Sequence, residues 1–185
     1  MKLVLCSASP RRREFLERMG VSFSLAPAHI DETRRPDEPA LAYVLRMALE
    51  KSAAGAQPGF AALGADTIVV KGEEVLGKPR DRSDAERMLR VLSGAEHRVI
   101  TAVAIAGLRA LAVITFVTFA PLSEAQIRWL AASGDGDDKA GAYAVQGLAG
   151  AFIERIEGSY SNVVGLPLLE TLRLLEEAGV ELPWT

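Results

Sequence analysis

Three consecutive arginines, Arg11 to Arg13, follow Ser7, Ser9 and Pro10 in the stretch CSASPRRREF. Ser9 before a proline has the form of a helix start, with the serine as N-cap and Pro10 in the first turn, where its missing N–H is no loss. The arginines then fall at the positive end of the helix dipole, which disfavours each by ~0.3–1 kcal/mol. An anion at that end reverses the sign. The Ser7 and Ser9 hydroxyls, the free N–H groups of the first turn and the guanidinium forks together form a phosphate cradle. A solvated basic turn whose arginines pair with surface carboxylates satisfies the same stretch, so the remaining residues must decide.

Asp66 is the carboxylate that most needs an explanation. It lies in ALGADTIVV, with Leu63 and Ala65 before it and Ile68 to Val70 after it. A carboxylate buried there needs a cation, a metal ion or hydrogen-bond donors. It could also merely cap a strand end against Thr67. Asp31 and Glu32 in the preceding loop supply further acids, and Lys51, Lys78 and the arginines supply counter-charges. Carboxylates and cations around one cleft suit a triphosphate with a hard metal ion.

Other chemistries fit less well. GEEVLGKP has the Gly72, Gly77 and Lys78 spacing of a P-loop, but Pro79 stands where serine or threonine is required and holds Lys78 extended. Lys78 is then a lysine on an extended segment, either phosphate ligand or surface residue. His29 and His97 are too few for a histidine-rich metal centre and are read as structural or solvent-facing. Asp135, Asp137 and Asp138 lack calcium-loop spacing and read as a solvated turn.

The chain has 185 residues, suiting one domain over 1–185, and its 49% hydrophobic and 24% charged content excludes a disordered protein. A net charge of −3 argues against a general nucleic-acid binder. The single cysteine, Cys6, excludes a disulfide framework and reads as core, with a reactive role as the alternative. No secretory signal and no membrane span is read, so a cytoplasmic location is the default expectation.

Strand and helix patterns alternate along the chain. A short apolar strand, LVL, precedes the helix from about Pro10, which places Phe15, Leu16 and Met19 on one face and stops at Gly20. VSFSL alternates as a strand, and the next helix puts Leu41, Val44, Leu45, Ala48 and Leu49 on one stripe, with Lys51 beside Val44 and Ala48. FAALGADTIVV turns through KGEE into VLGKP. Ser83 with Glu86 forms a capping-box pattern for the following helix, and Ser123 with Gln126 forms another before Ile127, Trp129 and Leu130. HRVITAVAIAG and ALAVITFVTFA form two strands, AFIERI a last one, and PLLETLRLLEEAG a closing amphipathic helix. Helices mixed with hairpins predict an α/β domain with a mixed sheet.

The ordered segments SASPRR, IDE, LEKS, GADTIVV, LGKPRD, LSGAEHRVITAV and KAGAYAVQGLAGAFIERIEGSYSNVVGLPL resemble the Maf family of nucleoside triphosphate pyrophosphatases over nearly the whole chain. The resemblance implies an elongated mixed β-sheet with flanking helices, like inosine-triphosphate pyrophosphatases, with two lobes around a nucleotide cleft. It implies hydrolysis of a nucleoside triphosphate to monophosphate and pyrophosphate with Mg²⁺ or Mn²⁺, and a link to arrest of septum formation. By the same resemblance, Ser7 belongs to the substrate site. Arg11 and Arg12 clamp phosphates or reach the base, while Arg13 faces solvent. Lys51 and Lys78 neutralise phosphate charge, Asp66 is general base and metal ligand, and Glu32 helps hold the metal.

Arg11, Thr67 and Gln146 match positions that separate a branch acting on dTTP and UTP from one preferring 7-methyl-GTP. The Gln146 amide can donate and accept toward a pyrimidine's carbonyl and imide groups. The alternatives are that second branch, and a nucleotide-binding regulator of septum formation in which hydrolysis is incidental. The water-activating carboxylate favours the enzyme. The implied partner is the nucleotide, with no nucleic acid or membrane; a homodimer stays open, because a dimer patch reads like core.

Overall fold

A computed structural model describes residues 1–184. In chain order the elements are β1 (Lys2–Leu5), α1 (Pro10–Arg18), β2 (Phe23–Leu25), α2 (Ala40–Ala54), β3 (Phe60–Lys71), β4 (Glu74–Leu76), α3 (Arg82–Leu92), β5 (Glu96–Ile105), β6 (Arg109–Phe119), α4 (Glu124–Ser133), β7 (Ile153–Glu157), α5 (Tyr160–Val164) and α6 (Leu168–Glu177). Short 3₁₀ turns at Ala140–Ala142 and Leu148–Phe152 lie between α4 and β7. Among the described residues the strands form one seven-stranded sheet in the order β2-β1-β3-β5-β6-β7, with β4 paired to β3. β1 runs parallel to β2 and β3, whereas β4 and β7 pair antiparallel with β3 and β6, which makes the sheet mixed, as the alternation of elements predicts.

The chain divides into two compact units. The first comprises Met1–Asp66, Thr101–Val113 and the residues from Gly165 onward; the second comprises Thr67–Ile100 and Ile114–Val164. Each has its own apolar core. In the first, β1 lies between β2 and β3 and is apolar on both faces: Leu3 and Leu5 pack with Leu16, Leu63, Leu166 and Leu174, while Val4 packs with Cys6 and Ala62. That double burial is why its sequence is a continuous run rather than an alternation. In the second, Met88, Leu89 and Leu92 of α3 and Ile127 and Leu130 of α4 pack with Val117, Phe119 and Tyr143.

Several local expectations hold. α1 begins at Pro10 with Ser9 as N-cap and ends before Gly20 in the left-handed region (φ 69°), although the Ser9 side chain makes no capping bond. Ser123 and Gln126 form the reciprocal capping box of α4. Cys6 is buried, and burial pushes its thiol pKa up, as suits a core residue.

Others are corrected. The N-cap of α3 is Asp81, not Ser83: the Asp81 carboxylate accepts from the Asp84 N–H at 2.8 Å, and the Ser83 hydroxyl donates to Asp81. An ionised side chain at a helix N-terminus gains from the dipole as well as the bond, which a serine two residues later cannot match. Val44 and Ala48 of α2 are buried as expected, but Leu41 and Leu49 are exposed, and Met47, Lys51 and Ser52 complete the buried face. Trp129 is half exposed against Phe152, and VSFSL contributes only Phe23–Leu25 to the sheet. Asp135 is more than a solvated turn residue, because its carboxylate accepts from the Leu148 N–H at 3.0 Å.

Candidate active site

Gly64 decides where α2 sits. A Cβ at this position would come within 2.2 Å of the Ala48 carbonyl oxygen and 2.4 Å of the Ser52 nitrogen, so the missing side chain lets the helix backbone settle on β3. The same closeness explains why the buried face of α2 is centred on the small Ala48 rather than on leucines. Two residues along β3 the side chain points to the same face. That residue is Asp66, and it meets Lys51 from the last turn of α2, the helix end that favours a cation.

Lys51 Nζ stands 2.7 Å from Asp66 Oδ1 and 3.1 Å from Glu32 Oε1. The Lys51 and Asp66 side chains are only 10% and 11% exposed, whereas Glu32 is 52% exposed, so one ammonium joins a buried carboxylate to one at the surface. Removing Lys51 would strand Asp66, at a cost of about 3–5 kcal/mol, whereas removing Asp66 leaves Lys51 with Glu32.

The loop that carries Glu32 is fastened to α2. The Tyr43 hydroxyl donates to the Glu32 carbonyl at 2.8 Å, and Arg46 donates through Nε and Nη2 to the two Glu38 oxygens at 2.7 Å each and to the Thr33 carbonyl at 3.1 Å. The Arg46 hydrogen bonds hold the Glu38 carboxyl down at about 2. Burial, with the charges of Asp66 and Glu32 behind it, pushes the Tyr43 hydroxyl up to about 12.

Arg12 is buried and works as a tie. Its Nε donates to the Gly165 carbonyl at 2.8 Å, and its Nη1 donates to Ser7 Oγ at 3.0 Å and to the Ala65 carbonyl at 2.9 Å. Ser7, itself buried, also accepts from the Ser9 N–H at 3.2 Å. One guanidinium thus fixes the turn after β1, the residue before Asp66 and the start of the segment leading to α6. Burial lowers the Arg12 pKa, and the charge of Asp66 opposes that effect. Arg11 is half-buried, whereas Arg13 is exposed and pairs with Glu17 at 3.5 Å, so the solvated reading of the arginine run applies to Arg13.

The first unit therefore gathers Ser7, Arg12, Glu32, Lys51 and Asp66. The second carries Thr67, partly buried on β3, Lys78, exposed on the irregular segment between β4 and α3, and Gln146, exposed in a turn closed by the Gly147 N–H donating to the Ala144 carbonyl at 3.1 Å. The Gly141 N–H donates to the Gly77 carbonyl at 3.0 Å, which ties the Gln146 loop to the residue before Lys78.

These residues lie in segments that known proteins share. Residues 2–178 match the sequence profile of the family described as Maf-like protein. The chain belongs to that family. It is 54% identical over 99% of its length to a dTTP/UTP pyrophosphatase of Anaeromyxobacter dehalogenans, with 97% of that protein covered. It is 53% identical to a protein of the same name from Myxococcus xanthus and 51% to one from Hahella chejuensis, over 98% of its own length and 95% and 94% of theirs.

In this Maf-like chain no group of three or more His, Cys, Asp or Glu side chains among the described residues is placed to hold a metal ion by itself. Glu32 and Asp66, converging on Lys51, are a pair of hard oxygen donors. Mg²⁺ is commonly bound by one or two carboxylates together with substrate phosphates, so the pair fits a cation that arrives with a triphosphate. Sequence reading missed Tyr43, Arg46 and Glu38 as supports of this site. The Tyr43, Arg46, Glu50 spacing on one face of α2 was a signal for the first two, whereas Glu38, in the loop before the helix, had none.

Proposed function

We propose that this chain is a nucleoside triphosphate pyrophosphatase acting on dTTP and UTP, with water attacking the α-phosphorus to give the nucleoside monophosphate and pyrophosphate. The observation that carries the reading is the buried Asp66 held by Lys51 and joined through it to Glu32. The full-length similarity to proteins named dTTP/UTP pyrophosphatase supports the choice of substrate.

Asp66 acts as general base. With Oδ1 held by Lys51, Oδ2 is the oxygen that takes the proton from the attacking water. Glu32 and Asp66 would hold a divalent cation, Mg²⁺ or Mn²⁺. Such an ion supplies charge neutralisation to the phosphate oxygens. Lys51 holds the base in place through the 2.7 Å bond to Oδ1 and adds positive charge, and Arg12 contributes the charge of a guanidinium whose Nε and Nη1 already serve the protein. Arg11 and Lys78 complete the neutralisation of the triphosphate, a role that rests on the resemblance. Catalysis is then positioning and electrostatic stabilisation, with pyrophosphate as leaving group and no covalent intermediate.

Selectivity is assigned to Arg11, Thr67 and Gln146. A site that hydrogen-bonds a pyrimidine edge leaves buried polar groups unpaired when another base enters, at about 1–3 kcal/mol each, so two mismatches give a preference on the order of 10²-fold. Kinetic constants for dTTP, UTP, 7-methyl-GTP, ATP and GTP test this. dTTP and UTP are expected to be hydrolysed fastest, and Gln146→Ala to narrow the gap. Preference for 7-methyl-GTP moves the chain to the other branch, and equal slow turnover of all five favours a nucleotide-binding regulator.

A further inference from the structure

Gln146 owes its position to anchors on both sides of its turn. After the turn, the Leu148 N–H donates to Asp135 Oδ2 at 3.0 Å, and a Cβ on Gly147 would come within 1.9 Å of that same oxygen, so loop and carboxylate lie in contact. Before the turn, Tyr143 is buried at 6% exposure and its hydroxyl meets His97 Nε2 at 2.8 Å. His97 is 2% exposed on β5, stacked on Phe119 with ring centroids 5.8 Å apart, and Tyr143 stands edge-on to both rings. The backbone leading into Tyr143 is left-handed at Gly141 (φ 71°) and at Ala142 (φ 60°), and the alanine, unlike the glycine, is strained there. Such a conformation persists only where its surroundings over-determine it.

We propose that His97 and Tyr143 are a positioning pair that fixes the turn bearing Gln146 and so sets the discrimination between pyrimidine and purine triphosphates. The inference rests on the reading of Gln146 as a base contact. Neither residue is claimed to touch substrate; both act through the loop.

The pair is the one polar bond inside a cluster of three rings. Ring packing alone tolerates sliding of the tyrosine, whereas a hydrogen bond to a residue on a strand selects one placement. Burial holds His97 down at about 4 and raises Tyr143, so both are neutral at pH 7 and the bond persists through the neutral range. Tyr143 is three residues from Gln146, too short a span to absorb a shift of the ring once Leu148 is fastened on the other side. Hydrogen-bond recognition of a base fails when its donors move by about an ångström.

The test is kcat/KM for dTTP and GTP, with thermal midpoints, in the parent protein, Gln146→Ala, Tyr143→Phe, His97→Phe and the His97→Phe/Tyr143→Phe double variant. Each single ring variant is expected to lower the dTTP to GTP ratio by about 10-fold, approaching Gln146→Ala. The double variant should lower it no further while regaining part of the lost thermal midpoint, because two apolar rings leave no buried group unpaired. Selectivity lost with stability regained is a pattern that mere packing does not produce. If Gln146→Ala lowers the ratio and the ring variants do not, the positioning pair is wrong and the Gln146 reading stands. If Gln146→Ala leaves the ratio unchanged, the Gln146 reading falls and the inference with it. Should a single variant fail to fold, the ratio in the double variant decides in the same way.

Discussion

Asp66→Asn is expected to lower kcat for dTTP by roughly 10²-fold or more while leaving the nucleotide KM close to that of the parent. The substitution keeps the shape of the side chain and an oxygen for Lys51 Nζ, now 2.7 Å away, but removes the ability to take a proton. It also removes a charge from a nearly buried pair. Glu32, 3.1 Å from the same ammonium, remains as counter-charge, so the stability cost should fall below the ~3–5 kcal/mol of a fully stranded lysine. Steady-state kinetics with a denaturation midpoint separate the two effects. Near-normal turnover in a folded variant makes Asp66 a structural partner of Lys51 and removes the assigned base.

The second large effect is expected at Arg12. Arg12→Ala leaves the Gly165 and Ala65 carbonyls without this donor and Ser7 Oγ with only the Ser9 N–H, at about 1–3 kcal/mol for each buried group left unpaired, so loss of several kcal/mol and of turnover follows. Arg12→Lys should not restore it, because a single ammonium cannot reproduce the planar fork that serves acceptors on three segments. Arg13→Ala, by contrast, removes an exposed pair with Glu17 and should change stability by no more than about 0.5 kcal/mol and turnover little. Urea denaturation and kcat/KM for the three variants check this. Equal effects at Arg12 and Arg13 would remove the distinction between the buried tie and the solvated residue.

Sequence patterns exposed the centre of the site better than its supports. A carboxylate in the apolar run ALGADTIVV demanded a cation, and Lys51 supplies it, because the cost of an unpaired buried charge holds in any fold. The N-terminal run LVL was legible as a buried strand for a similar reason, since both its faces are covered. The clamp of Arg46 on Glu38 was not legible. The loop IDETRRPDEP holds several acids and arginines, and which of them meets Arg46 is set by the path of the loop in space, not by spacing. The choice of Ala48 over Leu49 as the buried face of α2 depends on the close approach at Gly64, a glycine that also fits an ordinary strand interior. His97 and Tyr143 are 46 positions apart, and no local period links them. Division of the cores was hidden too. β3 is apolar through most of its length, yet Leu63 packs in the first core and Val69 in the second.

The most direct measurement is the fate of the water oxygen. Hydrolysis of dTTP by this protein with Mg²⁺ in ¹⁸O-labelled water is predicted to place one labelled oxygen in dTMP and none in pyrophosphate, because the base at Asp66 directs water to the α-phosphorus. Label in the pyrophosphate, or formation of dTDP with inorganic phosphate, would contradict the account.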